Sequence, residues 1–172
     1  MHVDESLAAV EVVDRFEGAI VDVGSGGGAP GIPLAAALPD RQVTLLEANG
    51  RKCAFLREAA REFPNVEVVQ GRAEEQETEQ HGVAVAKALG APPVAAEWCL
   101  PLAAVGGAVV LYVGPSADAP GLSTPSRCSE EAPARLVRTV KRHALVAVAM
   151  SACASPSGQS TDRGAGNVRG DP

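Results

Sequence analysis

The sequence is poor in aromatic residues, which make up 3% of its 172 positions. Modules that bind nucleic acid by stacking bases, such as RRM and OB domains, need exposed aromatic rings, so this composition argues against them. The lone tryptophan, Trp98, is predicted to lie in the core, where most of an indole's surface is usually buried. The chain therefore offers no candidate stacking platform.

Paired cysteines and long hydrophobic runs are also missing. The four cysteines form no C-x-x-C motif and the three histidines are scattered, so we expect reduced thiols and no metal site. No apolar run reaches membrane-spanning length, and no signal peptide is visible. The sequence thus predicts a single-domain cytoplasmic protein without a membrane partner.

Negative charge outweighs positive charge, and the formal net charge is −6. Such a chain is unsuited to indiscriminate RNA binding, which depends on neutralising many phosphates. It is compatible with the reading of one folded RNA site through a local basic patch. The residues that could form such a patch are Arg51, Lys52, Arg57 and Lys87, and the alternative is that these charges lie on a solvated helix face.

The most informative segment is a glycine-rich stretch at residues 18–31. An apolar run at 19–23 predicts a buried strand, and the segment 30–38 predicts a helix that begins directly after the glycines. Gly24, Gly26 and Gly28 can adopt positive φ and let backbone N–H groups approach a ligand closely. The segment therefore predicts a strand–loop–helix unit that binds a nucleotide-like ligand.

Three interpretations of this loop are open. Residues 26–31 fit G-x-G-x-x-G, which is typical of dinucleotide binding, and a purely structural glycine turn is a second alternative. Asp22 comes two residues before Gly24, where its carboxylate would repel a pyrophosphate and suit an amino group or a sulfonium. The pattern Asp-x-Gly-x-Gly-x-Gly over residues 22–28 resembles the S-adenosylmethionine (SAM) loop of class I methyltransferases, and we favour this interpretation.

A second acidic residue follows at the expected distance. Residues 42–47 predict another buried strand, which ends in Glu47, 25 residues after Asp22. An acid at the end of the second strand is placed to bind both hydroxyls of a ribose, and the alternative is a solvated carboxylate. Glu47 is therefore a candidate residue for binding a ribose.

Strands and helices then alternate, which predicts an α/β protein with a Rossmann-like, mostly parallel sheet. The predicted helices are 51–63 and 92–102, and the predicted strands are 66–69, 83–86 and 108–113, with a turn at Gly106-Gly107 before the last. Residues 134–140 and 143–150 predict a terminal strand hairpin after a loop at 115–133. The domain is thus expected to span 1–150, followed by a disordered tail at 151–172.

Several longer motifs allow a family to be named. They lie at residues 2–7 (His-Val-Asp-Glu-Ser-Leu), 22–33 (Asp-Val-Gly-Ser-Gly-Gly-Gly-Ala-Pro-Gly-Ile-Pro), 45–58, 70–75 and 97–107. Through these motifs the chain resembles the RsmG/GidB family of 16S ribosomal RNA (guanine-N7) methyltransferases. The resemblance implies a class I methyltransferase fold, SAM as cofactor, 16S ribosomal RNA or the small ribosomal subunit as partner, and a monomer.

The resemblance also implies which residues meet the cofactor. Together with Asp22 and Gly26 from the loop pattern, the predicted SAM-binding residues are Gly24, Ala29, Glu47, Ala48, Asn49, Ala73, Glu74 and Lys87. Three positions depart from the family pattern: Lys87 stands in place of Arg, Ala29 in place of Phe, and Glu5 in place of Asp. Lys87 is expected to border the reacting methyl group, and the alternative is a solvated lysine at a strand end.

The family has a helical portion of several dozen residues before the first motif, and here His2 follows Met1. We therefore expect the fold without that portion. Two other functions stay open: a SAM-binding protein without activity on RNA, or a methyltransferase that acts on a small molecule or a protein.

No catalytic acid or base is assigned. The N7 atom of guanine has an in-plane lone pair and carries no proton, so it can attack the SAM methyl group directly. Alignment of the two reactants is then the main task of the protein.

Overall fold

The computed structural model describes residues 2–113, 137–141 and 144–150. Seven strands form one sheet in the order β3-β2-β1-β4-β5-β7-β6, in which β1 to β5 run parallel and β7 is antiparallel to both β5 and β6. The predicted α/β fold with a mostly parallel sheet is confirmed. The strands are β1 Ile20–Val23, β2 Val43–Glu47, β3 Val66–Gln70, β4 His81–Lys87, β5 Ala103–Val113, β6 Val137–Lys141 and β7 Ala144–Met150.

Helices cover both faces of the sheet, as the continuous apolar runs of the central strands require. They are α1 His2–Leu7, α2 Val10–Val13, α3 Gly31–Ala37, α4 Gly50–Ala59 and α5 Pro92–Cys99. Leu34 of α3 and Leu56 of α4 belong to the core on one face, which also includes Ile20 of β1. Cys99 of α5 packs on the opposite face with Val21. The sequence had given no assignment for the segment that forms α1 and α2.

Two predicted helices end earlier than expected. The helix predicted over 51–63 stops at Ala59, although its apolar positions Cys53 and Leu56 are buried as expected. The helix predicted over 92–102 stops at Cys99 and continues as a 3-10 turn, Leu100–Leu102. Pro101 in that turn has no amide hydrogen, so it cannot donate the bond that another α-helical turn would need.

The turn predicted at Gly106-Gly107 is wrong, because both glycines lie inside β5. The pairing of β4 with β5 shifts register there: His81 pairs with Ala103, and Val83 pairs with Ala108. The extra residues form a bulge in which Gly106 has φ +82°. A side chain at Gly107 would collide with the backbone of Gly82, so the glycine allows the two strands to approach.

Trp98 is also misplaced by the sequence analysis. Its side chain is 40% exposed, because α5 turns Ala95, Ala96 and Cys99 toward the sheet instead. The predicted terminal hairpin is present as β6 and β7. The loop predicted at 115–133 and the disordered tail predicted at 151–172 lie outside the described residues.

Asn65 ties the start of β3 to the turn that precedes β2. Its side-chain amide lies within hydrogen-bond distance of three backbone oxygens, those of Ala35 (3.0 Å), Leu38 (3.3 Å) and Arg41 (3.0 Å). Asn65 is buried, so water cannot take over these contacts if the amide is lost.

We expect Asn65→Ala to lower the free energy of unfolding by about 2 kcal/mol, because buried carbonyl oxygens would lose their donor. Asn65→Asp keeps the shape but turns the donor into an acceptor, so it should be at least as harmful. Urea denaturation monitored by circular dichroism measures both, with the exposed Gln42→Ala as control. An Asn65→Asp protein as stable as the parent would contradict this account.

Candidate cofactor site

The predicted site residues lie at the carboxyl ends of four strands that are neighbours in the sheet. The glycine loop follows β1, Glu47 ends β2, Ala73 and Glu74 follow β3, and Lys87 ends β4. Parallel strands present all these ends at one edge, which is where α/β proteins bind ligands. The fold therefore brings together residues that are up to 65 positions apart in the sequence.

The glycine loop has the backbone geometry that the sequence predicts. Gly24, Gly26 and Gly28 have φ values of +70°, +54° and +87°. A Cβ at Gly26 would have only one neighbour within 4 Å, the carbonyl oxygen of Gly24 at 3.7 Å, and a Cβ at Gly27 would have none. The middle of the loop thus faces open space into which a ligand can be placed.

Glu47 connects the loop to β2. Its Oε2 atom accepts a hydrogen bond from the amide of Gly26 at 3.0 Å, and its Oε1 atom accepts one from the amide of Asn49 at 2.9 Å. The residue is 7% exposed, and Lys52 Nζ lies 3.9 Å from Oε2. Each carboxylate oxygen accepts one of these N–H groups and keeps a lone pair, so Glu47 can still accept hydroxyl groups.

Asn49 begins α4. Its Oδ1 atom accepts from the amides of Arg51 (2.9 Å) and Lys52 (3.3 Å), which is the N-cap arrangement that Asn favours. Ala48 and Asn49 are exposed between Glu47 and the helix. A ligand at Glu47 would therefore lie against the first turn of α4.

Asp22 lies beneath the loop and is completely buried. Its Oδ2 atom accepts a hydrogen bond from the amide of Gly31 at 2.9 Å, and its Oδ1 atom has no partner. The hydroxyl of Ser25 donates to the backbone oxygen of Asp22 at 2.8 Å. Asp22 thus fixes both the first residue of α3 and the start of the loop.

Burial raises the pKa of Asp22 from 3.8 to about 7, and this is the largest of the effects on that carboxyl group. The hydrogen bond from Gly31 and the nearby hydroxyl of Ser25 lower the pKa, Glu47 raises it, and Lys87 lowers it. The ionisation of a buried group under the glycine loop is therefore poised near neutral pH, and neighbouring charges decide its state.

Lys87 is not the solvated lysine of the alternative interpretation. Its side chain is 18% exposed, and Nζ lies 2.8 Å from Oε2 of Glu5 in α1. The sequence had treated Glu5 only as a departure from a family motif. No local signal reveals this contact, because the two residues are 82 positions apart.

The remaining predicted residues line the same edge with fewer contacts. Ala29 is half-buried in the loop, and Ala73 is half-buried and packs beside the apolar cluster around α5. Glu74 is exposed in the 3-10 turn Ala73–Glu75, with Oε1 3.6 Å from Nη1 of Arg72. Ala73 and Glu74 lie after the carboxyl end of β3, at the same edge of the sheet as the loop that contains Ala29.

One residue that the sequence analysis missed covers the loop. The side chain of Leu89 occupies the place that a Cβ at Gly24 would need. An apolar residue two positions after Lys87 therefore closes the site on the side of β4. A cavity of about 360 Å³ lies elsewhere, on the sheet face between Val21, Leu46 and the segment 75–81, and it includes none of the predicted site residues.

The described part of the chain has neither a candidate metal cluster nor a membrane-spanning helix. There, no group of three or more His, Cys, Asp or Glu side chains is placed to hold a metal ion. Likewise, none of the helices found in residues 2–113 combines the length and the apolar character needed to cross a bilayer.

Solved structures with a similar fold include methyltransferases. An RNA methyltransferase from Salinibacter ruber in complex with S-adenosyl-L-homocysteine matches with a TM-score of 0.60 and 20% identity over 91% of this chain and 94% of that chain. A SAM-dependent O-methyltransferase from Thermotoga maritima matches with a TM-score of 0.61 and 17% identity over 90% and 67% of the two chains. At these identities the likeness establishes the fold.

Curated relatives share much more sequence. Ribosomal RNA small subunit methyltransferase G of Synechococcus elongatus is 40% identical over 122 residues, which are 66% of this chain and 50% of that protein. The same enzyme of Mycobacterium leprae is 42% identical over 118 residues, which are 66% and 48% of the two chains. The enzyme of Rubrobacter xylanophilus is 44% identical over 107 residues, which are 58% of this chain and 41% of that protein. The chain spans about half the length of these relatives.

The sequence pattern of one family, rRNA small subunit methyltransferase G, matches residues 1–146. The match includes the glycine loop, the acidic ends of β1 and β2, and Lys87, which are the features that the structure gathers at one edge of the sheet. The chain belongs to the rRNA small subunit methyltransferase G (GidB) family.

Proposed function

We propose that this protein transfers a methyl group from SAM to N7 of a guanine in 16S ribosomal RNA, as a cytoplasmic monomer. The observation that carries the proposal is the joining of the glycine loop to Glu47 by the 3.0 Å hydrogen bond from Gly26. This contact joins an acidic residue, the candidate ribose binder, to an open loop in a chain of the methyltransferase G family, and this supports the proposal.

The residues present fit SAM better than a dinucleotide. The unpartnered Oδ1 atom of Asp22 puts negative charge under the loop, which suits a sulfonium or ammonium group and opposes a pyrophosphate. Glu47 would hold the ribose hydroxyls, and Ala73 and Glu74 would border the adenine. Gly24 and Ala29 would flank the methionine end, with Ala48 and Asn49 beside the ribose. When bound, SAM supplies the activated methyl group, and these residues supply its orientation.

Exposed basic residues on the helix next to the site support RNA, either 16S ribosomal RNA or the small ribosomal subunit, as the partner. Arg51, Lys52 and Arg57 are exposed on α4, which begins three residues after Glu47. In a chain of net charge −6, this local patch would direct phosphates toward the cofactor edge. Methyl transfer to guanine N7 needs no general base, and we assign none.

The first expected result concerns cofactor choice. SAM and S-adenosylhomocysteine should bind, and NAD should not. Gly26→Val should abolish this binding, because a branched side chain would enter the space of the ligand and the φ of +54° disfavours Val. Gly106→Val is the matched control, since Gly106 also has positive φ and open surroundings but lies in the β5 bulge.

Isothermal titration calorimetry measures the binding of SAM, S-adenosylhomocysteine and NAD to the parent and to the two variants. Both variants should lose stability, and only Gly26→Val should lose the cofactor. A parent protein that prefers NAD, or a Gly26→Val protein that binds SAM normally, would refute the cofactor assignment.

The second expected result concerns Asp22. Because the folded state raises its pKa from 3.8 to about 7, the folded protein holds the proton that the unfolded chain releases between these pH values. The free energy of unfolding therefore falls as pH rises through this window. Asp22→Asn cannot ionise and so avoids this loss of stability. At pH 8 its free energy of unfolding should exceed that of the parent by about 1–3 kcal/mol, which already includes the cost of a buried amide N–H without an acceptor.

The same variant should weaken SAM binding about tenfold at pH 8, because the negative charge opposite the cationic groups is gone. At pH 6 the parent carboxyl is itself mostly protonated, so the two proteins should bind SAM alike. Calorimetry at both pH values provides this internal control. Equal affinities at pH 8 would show that the charge of Asp22 is not used in binding.

The third expected result concerns RNA. The protein should methylate 16S ribosomal RNA or small subunits from cells that lack N7-methylguanosine, as measured with tritiated SAM. Arg51→Glu combined with Arg57→Glu should lower kcat/KM for RNA about tenfold or more, while SAM affinity stays unchanged. Arg15→Glu, at the opposite edge of the sheet, is the control. SAM binding without methylation of any RNA would leave a cofactor-binding protein and reject the RNA activity.

A further inference from the structure

Helix α1 is docked on the cofactor edge by two consecutive residues. Glu5 pairs with Lys87 at 2.8 Å, and the backbone oxygen of Ser6 accepts a hydrogen bond from the hydroxyl of Tyr112 at 2.7 Å. Lys87 and Tyr112 are themselves register partners in β4 and β5. The helix therefore contacts the ends of two adjacent strands rather than one flexible side chain.

The strand register puts Lys87 near Asp22. Asp22 pairs with Val85 of β4, and Lys87 follows Val85 by two residues. Because side chains alternate between faces, Lys87 projects from the same face as Asp22, one step closer to the cofactor edge. Glu5, Lys87 and Asp22 thus form a row of charged groups that runs from α1 to the carboxylate under the glycine loop.

Burial makes this row sensitive to each of its members. The side chain of Glu5 is 25% exposed and that of Lys87 is 18% exposed. In such surroundings the removal of one partner leaves a poorly solvated charge, unlike the loss of a surface ion pair.

We propose that Glu5 is a positioning residue of the cofactor site: its carboxylate holds the Lys87 ammonium at the carboxyl end of β4, on the sheet face that carries Asp22. Glu5 acts through Lys87 and need not touch the cofactor. The inference rests on the proposed SAM binding and adds to it a residue from a different part of the fold.

Few other charged groups lie near Asp22 to influence its ionisation. Burial raises the pKa of Cys99 to about 12 and also raises that of Tyr112, so both are neutral near pH 7. The hydroxyl of Ser25 and the amide of Gly31 are uncharged donors. The charged groups that influence Asp22 are then Glu47, which opposes its ionisation, and Lys87, which favours it and is itself paired with Glu5.

The first test is Glu5→Gln, which keeps the length of the side chain and removes its charge. SAM affinity measured by calorimetry from pH 6 to 9 should fall about fivefold at pH 7, because the Lys87 ammonium loses the partner that holds it at this edge. Lys87→Met should weaken binding further and move the midpoint of its pH dependence to higher pH, because Asp22 loses a positive charge that favours its ionisation. Lys87→Arg should keep the parent affinity and midpoint. Arg15→Met removes one positive charge at the opposite edge and should change neither quantity.

The second test separates positioning from simple attachment of α1. The double variant Glu5→Lys with Lys87→Glu rebuilds the ion pair but places a carboxylate next to Asp22. Melting temperature should recover relative to either single variant, while SAM affinity should not. Recovery of both, or parent affinity in Glu5→Gln, would overturn the proposal. A parent protein that fails to bind SAM would instead reject the cofactor assignment itself.

Discussion

The hydrogen bond from the amide of Gly31 to the buried Asp22 carboxylate determines how the site is built. It joins the end of the central strand to the first residue of α3, so the intervening glycine loop has both of its ends fixed. Gly31 also has to be a glycine, since a side chain there would collide with Leu45 and Asp22. The loop is therefore shaped before any ligand arrives, which reduces the entropy that binding must overcome.

The buried carboxyl group of Asp22 costs stability that an uncharged side chain at this position would not. One carboxylate oxygen of Asp22 lacks a partner, and burial moves its pKa to about 7. An amide side chain could receive the same Gly31 hydrogen bond with less penalty. The retention of an ionisable group at this position is understandable if its charge serves a ligand, in line with the frequent trade of stability for function at binding sites.

Local patterns predicted much of this structure. Apolar runs located the five parallel strands, and the glycine spacing gave three positive φ angles correctly, because both depend on residues close in sequence. The positions of Asp22 near the end of β1 and of Glu47 at the end of β2 were predicted correctly for the same reason. The assignment of individual SAM contacts stays a prediction.

What the sequence could not supply depends on contacts between distant segments. Gly106 and Gly107 look like a turn, and only the pairing with β4 places them inside a strand. Trp98 has the composition of a core residue, but the orientation of α5 exposes it. The partner of Lys87 was missed because an ion pair across 82 residues leaves no periodic signal.

The two contacts of α1 also bear on the order in which the molecule is assembled during synthesis. The hydroxyl of Tyr112 meets the backbone of Ser6 across 106 residues, so α1 cannot find its final place until β5 has emerged from the ribosome. The glycine loop and β2 are complete much earlier. A nascent chain would thus hold an outlined cofactor cleft before the contact between the fifth strand and the first helix can form.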